Sequence, residues 1–139
     1  MSYEVIEKKL DQIKELLGEL EGLLEKSLDE FIKDKTVVRA SERNYQLIID
    51  LASDINTQIL IEKGRKTPDT YKQSFSDLGK AGVLNSGLVK KMVQCAKLRN
   101  ILVHEYDFEE DYEKFYSSAK ENVGTIKEYA RAVNDYIGS

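Results

Sequence analysis

Of the chain's 139 residues only one is proline, one cysteine and one histidine, and eight are glycine. So few helix breakers among abundant Leu, Ile, Lys and Glu point to helices. No alternating strand pattern, internal repeat or low-complexity linker interrupts them. A single cysteine, Cys95, excludes an intrachain disulfide and suits a reducing compartment. Set in an apolar run, it reads as a packing residue. A basic excess is also missing. The net charge of −4 argues against coating nucleic acid by bulk electrostatics, although a local basic cleft stays open. No stretch reaches the roughly 18 apolar residues a membrane helix requires. The start, "MSYEVIEKKLDQ", is polar and acidic, without a signal-peptide core. These absences predict a cytoplasmic protein with no membrane association, and its length fits one domain over 1–139.

What is present is a set of apolar seams. Apolar residues make up 41% and charged residues 33%, enough to bury a core under a solvated surface. Ile6, Leu10, Ile13, Leu17, Leu20 and Leu24 alternate at 4-3 spacing, which predicts a first helix continuing through Leu28 and Phe31. Its seam either packs inside the domain or serves a coiled-coil dimer. A second helix starts after Lys35-Thr36 and runs to about Lys63, where Gly64 ends it. Arg43, Asp50 and Asp54 fall on one stripe of it and read as a solvated face with ion pairs.

In "KTPDTYKQSFSDL" Thr67 is placed as N-cap and Pro68 as first residue of a short helix. "GKAGVLNSG" follows as a loop, and a fourth helix spans about Ser86 to Tyr106. The last carries Tyr112, Phe115, Ala119, Val123, Ile126, Ala130, Val133 and Ile137, and Gly138 closes it. The expected fold is all-α, an up-and-down bundle of four long helices and one short one.

The lone histidine lies in "KLRNILVHEYDFEEDY" at 97–112. The stripe Leu88, Met92, Cys95 places Arg99 where an apolar residue is expected, with Leu102 after it. A guanidinium there is costly unless paired or opened to a groove, and such breaks of pattern tend to mark function. At about 100° per residue Tyr106 nearly regains the azimuth of Arg99, while Asn100 and His104 share a second line. The spacing permits one site. Each residue also has a plain structural reading. His104 can cap or pack, Arg99 can pair with a buried acid such as Asp54, and Tyr106 can pack its ring and wet its hydroxyl.

"RNILVHEY" fits the Arg-x4-His-x-Tyr motif of the HEPN superfamily, and the chain resembles its HepT-like toxin branch. "RASERNYQLIIDLASDI" at 39–55, "TPDTYKQSFSDLGKAGVL" at 67–84 and "LRNILVHEYDF" at 98–108 resemble segments of that branch in its order, so the likeness covers most of the chain. The resemblance implies a metal-independent ribonuclease toxin with Arg99 and His104 as catalytic pair and Asn100 as the polar residue following the arginine. The residue types suit that chemistry. Histidine titrates near neutrality and can act as base or acid, and arginine can fork onto phosphate. No cofactor and no metal are implied.

The resemblance further implies a homodimer with two motif helices facing across a shared cleft, and the first and fourth helices are expected to bury the interface. It implies a cognate minimal nucleotidyltransferase antitoxin that transfers AMP onto Tyr106. Arg43 and Lys97 are the candidates for guiding RNA phosphates, with Arg39, Lys90 and Lys91 beside them. Glu105, Asp107, Glu109, Glu110, Asp111 and Glu113 read as the solvated start of the last helix, where carboxylates favour the dipole; a metal site is the other reading. The competing functional reading is a non-catalytic helical binding module that docks a nucleotidyltransferase. The intact Arg-Asn-x3-His-x-Tyr arrangement favours the enzyme.

Overall fold

The computed structural model describes residues 3–105 and 112–138. Its elements in chain order are α1 (Glu4–Leu24), α2 (Leu28–Lys33), α3 (Lys35–Glu62), α4 (Tyr71–Lys80), α5 (Ser86–Asn100), a π-helical turn (Ile101–Glu105) and α6 (Tyr112–Gly138). The described residues are helical with short connections, as the apolar seams require. Four long helices, α1, α3, α5 and α6, make the bundle. Contacts run from α1 to α3, α3 to α4, α4 to α5, α5 to α6 and α6 back to α1, so α4 is wedged between α3 and α5.

The seam of α1 is packed inside this ring. Ile6, Leu10, Ile13, Leu17, Leu20 and Leu24 are all buried, which settles the intramolecular reading of that stripe. α1 stops at Leu24, earlier than its apolar spacing predicts. Ser27 begins a new helix by accepting the Glu30 N–H at 3.3 Å and donating its hydroxyl to Glu30 Oε1 at 3.0 Å. This reciprocal cap opens the separate α2. Phe31 of α2 then enters the core beside Phe115 and Tyr116, and the Tyr116 hydroxyl fixes the turn by donating to the Lys26 carbonyl at 2.6 Å. Leu28 and Phe31 therefore belong to a second short helix and not to α1.

α3 ends where glycine permits it to. Gly64 takes φ 72°, and the Arg65 N–H returns to the Leu60 carbonyl at 2.9 Å. α4 begins three residues later than "TP" predicts. Thr70, not Thr67, supplies the cap, accepting the Gln73 N–H at 3.0 Å. Pro68 lies ahead of the helix in irregular chain. Beginning at Tyr71 puts that residue on the side of α4 that meets Arg99 of α5. α4 and α5 approach closely at Gly79, where an added Cβ would stand 2.5 Å from Val89 Cγ2.

Asn85 caps α5, accepting the Leu88 N–H at 2.8 Å. Buried polar groups tie the bundle together. Tyr129 donates to Asn56 Oδ1 at 2.6 Å, close also to the Ala52 carbonyl at 3.0 Å, and Asn56 donates to Ser74 Oγ at 3.0 Å. Tyr45 donates to the Cys95 carbonyl at 2.8 Å and accepts from Asn122. Buried polar groups must be paired or they cost stability, so these bonds fix the register of α3 against α4, α5 and α6.

Candidate active site on α5

Arg99 is the charged residue on the buried stripe of α5, and its side chain is 18% exposed. Its partner is Asp50 of α3, whose Oδ1 accepts from Nε at 3.1 Å. Asp54, one turn further along α3, instead pairs with Lys9 at 3.4 Å and is 61% exposed. The expectation that Arg99 pairs with Asp54 is thus corrected by one helical turn. Tyr71, the first residue of α4, completes the arrangement. Its ring lies 4.3 Å below the Arg99 Cζ, and its hydroxyl donates to the same Asp50 Oδ1 at 2.9 Å. Arg99 NH2 reaches the Tyr71 hydroxyl at 3.4 Å, and NH1 reaches Asn100 Oδ1 at 3.3 Å. Burial, then the Asp50 carboxylate accepting from the hydroxyl, raises the Tyr71 pKa above its ordinary 10, so the phenol stays a donor.

After Asn100 the helix widens into a π turn carrying His104. A π turn places more residues in each revolution, and such turns recur at functional sites. His104 is exposed and lines a groove of about 450 Å³ with Thr70, Tyr71, Lys72, Lys97, Asn100 and Ile101. Among the described residues, the groove's walls carry two ammonium groups and an imidazole and no carboxylate. Arg99 stands behind it, in contact with the lining residues Tyr71 and Asn100. A larger groove of about 800 Å³ between α5 and α6 shares Lys97 and Ile101 with the first.

The structure therefore gathers Arg99, Asn100, His104 and Lys97 at one place. Arg43 is exposed on α3, seven residues before Asp50, and takes no part in lining the groove. Arg39 is engaged with Glu42 at 3.0 Å, and Lys91 pairs with Glu128 at 3.8 Å and lines the larger groove; neither lines the smaller one. Tyr106 and most of the acidic run after it lie outside the described residues; Glu113 is in the first turn of α6. Sequence spacing does not single out Tyr71 or Lys72, and it makes Asp50 part of a solvated face, whereas the structure brings Asp50 and Tyr71 onto Arg99. Their only signal was membership of segments resembling the toxin branch. Among the described residues no three His, Cys, Asp or Glu side chains are grouped to hold a metal ion, and no helix is long and apolar enough to cross a membrane.

The family described as Ribonuclease HepT-like matches this chain over residues 6–133. The chain belongs to that family. Of its motif residues, Asn100 and His104 line the smaller groove, and Arg99 stands behind it. Among HepT-like relatives, the tRNA nuclease HepT of Aphanizomenon flos-aquae is 32% identical over 133 residues, covering 96% of this chain and 90% of the relative. The fold matches that of a tri-AMPylated Shewanella oneidensis HEPN toxin solved in complex with an MNT antitoxin. There the TM-score is 0.84 at 19% identity, over 97% of this chain and 99% of the other. A toxin–antitoxin structure containing AMP-PNP matches with a TM-score of 0.81 at 17% identity, over 95% and 98% of the chains. At such identities the structural likeness concerns the HEPN fold alone.

Proposed function

We propose that this HepT-like chain is the ribonuclease toxin of a toxin–antitoxin pair, cleaving RNA without a metal ion. The observation that carries the reading is Arg99, held by Asp50 and Tyr71 directly behind a cation-lined groove that presents His104 and Asn100. In the reaction a 2′-hydroxyl gives up its proton and attacks the adjacent phosphorus. The bond to the 5′-oxygen breaks, and that oxygen takes a proton. The products are a 2′,3′-cyclic phosphate and a 5′-hydroxyl. His104 acts as base or acid at neutral pH. Arg99 and the neighbouring Lys97 stabilise the extra negative charge of the pentacoordinate phosphorus. Lys97, standing where the two grooves meet, guides the backbone, and Arg43 is assigned only a distant steering role on α3.

The relative named as a tRNA nuclease makes tRNA the first substrate to try. The chain acts as a homodimer in which two motif helices face each other, each supplying the single histidine its sequence holds. A monomer in light scattering at micromolar concentration would overturn this. A cognate nucleotidyltransferase silences the toxin by transferring AMP to the hydroxyl of Tyr106, two residues beyond His104. The added phosphate places negative charge where substrate phosphate must bind. Support for that partner comes from the AMPylated and antitoxin-bound structures that share the fold.

A second reading has its own observation. Arg99 is largely covered and paired, as a purely structural arginine would be. In that reading the chain is a helical module docking a nucleotidyltransferase. The deciding experiment is RNA cleavage in excess chelator by protein whose intact mass shows Tyr106 unmodified, beside Arg99→Ala and His104→Ala. Cleavage to cyclic-phosphate ends by the wild type alone supports the ribonuclease. Equal inactivity of all three on tRNA, messenger and ribosomal RNA supports the module.

A further inference from the structure

Arg99 meets groups from three directions, each carried by a different part of the fold. Asp50 comes from the middle of α3, Tyr71 from the first residue of α4, and Asn100 from α5 itself. From this geometry, and resting on the ribonuclease reading above, we infer that Asp50 and Tyr71 are positioning residues. They preset the Arg99 guanidinium for the scissile phosphate before RNA arrives.

The pattern of bonds separates this role from simple charge compensation. A carboxylate that only neutralised a covered arginine would be best served by the two-pronged fork. Here Asp50 engages Nε alone, at 3.1 Å. Among the described residues the terminal nitrogens meet only neutral oxygens, Asn100 Oδ1 at 3.3 Å and the Tyr71 hydroxyl at 3.4 Å. Both contacts are long, and a phosphate oxygen offers shorter, charge-assisted bonds in their place. The Nε bond fixes the rotation of a side chain that otherwise has many rotamers, while NH1 and NH2 stay available.

Tyr71 fixes the remaining freedom. Its ring covers one face of the guanidinium plane, which prevents tilting toward α4. Its hydroxyl is committed as donor to Asp50 at 2.9 Å, so Asp50 is itself held and cannot swing to a second arginine nitrogen. The burial and carboxylate that keep this phenol protonated preserve that direction of donation. Three helices thus converge on one side chain, and the wedge position of α4 has a consequence for the site. Moving α4 would loosen Arg99.

The test pairs kinetics with a direct view of Arg99 in the full-length, unmodified protein. Asp50→Asn keeps the shape and removes the charge, Asp50→Glu restores the charge on a longer arm, and Tyr71→Phe keeps the ring while removing the hydroxyl. Cleavage of tRNA gives kcat and KM, and the Arg99 Nε–Hε cross-peak in a 15N spectrum reports whether the guanidinium is locked. Circular dichroism checks that each variant is folded. Preset orientation is worth up to about 100-fold in rate when it is lost by an ångström.

We expect Asp50→Asn to lower kcat about 10- to 100-fold with KM changed less than about 3-fold, and to abolish the slowly exchanging Arg99 signal. Asp50→Glu should recover part of both, and Tyr71→Phe should fall between. An unchanged kcat in Asp50→Asn, or a loss confined to KM, overturns the positioning role while leaving the ribonuclease in place. Retention of the locked Arg99 signal in that variant overturns it as well. A wild type inert on every RNA overturns the ribonuclease reading and this inference with it.

Discussion

Asp50 on α3 and Arg99 on α5 lie 49 residues apart in sequence and 3.1 Å apart in space, joined through a single guanidinium nitrogen. That one bond links the frame of the bundle to the residue that breaks the apolar stripe of α5. It also orients the two terminal nitrogens, which is where the functional consequences lie.

Arg99→Lys should therefore fail as a replacement. An ammonium keeps the charge but has no Nε to meet Asp50 and no plane for the Tyr71 ring. If it settles on Asp50 it has left the phosphate. Single-turnover cleavage should fall about 10²–10³-fold, the cost of removing one transition-state donor. A loss below tenfold would show that charge alone suffices.

Gly79 offers a test of the wedge. A methyl there meets Val89 Cγ2 at 2.5 Å, and the branched valine has little rotamer freedom to retreat. The overpacking cost of about 1–3 kcal/mol exceeds the gain in helix propensity of about 1 kcal/mol. Gly79→Ala should lower stability in urea unfolding. Gly18→Ala on α1, with nothing within 4 Å of its added Cβ, should raise it by as much as about 1 kcal/mol.

Cys95 should be chemically quiet. It is fully buried, and burial pushes its thiol up to about 12, so almost no thiolate exists near neutrality. At pH 8 iodoacetamide should leave the native mass unchanged and add one carbamidomethyl group after unfolding in urea. Rapid labelling of the native protein would contradict this burial.

Two core phenols predict an alkaline weakness. Burial raises Tyr45 and Tyr129 well above the ordinary 10. Above about pH 10 the folded chain keeps protons that the unfolded chain releases, so stability falls as pH rises toward the folded values. Below that range the contribution is fully present. The urea midpoint should hold to pH 9 and drop by pH 11, with a shallower drop in Tyr129→Phe.

Much of the bundle was legible in one dimension. The seam from Ile6 to Leu24, the buried run from Phe115 to Val133 and the stop at Gly64 all follow from local rules of period and backbone freedom. The break between α1 and α2 was written in Ser27-Leu28-Asp29-Glu30, yet the apolar spacing ran on through Leu28 and Phe31 and hid it. Thr67 and Thr70 carry the same capping chemistry, and only the packed position of α4 chose between them.

At the site the division is sharper. Sequence alone determined that Arg99, Asn100 and His104 share one short helical run, because their spacing is covalent, while the π turn that carries His104 departs from the α-helical period. It could not choose between Asp50 and Asp54, which lie one turn apart on the same stripe. It held nothing to connect Tyr71 with Arg99. Those choices were made where α3 and α4 come against α5. Packing between helices sets which turn of one faces which turn of another, and no local period encodes that distance.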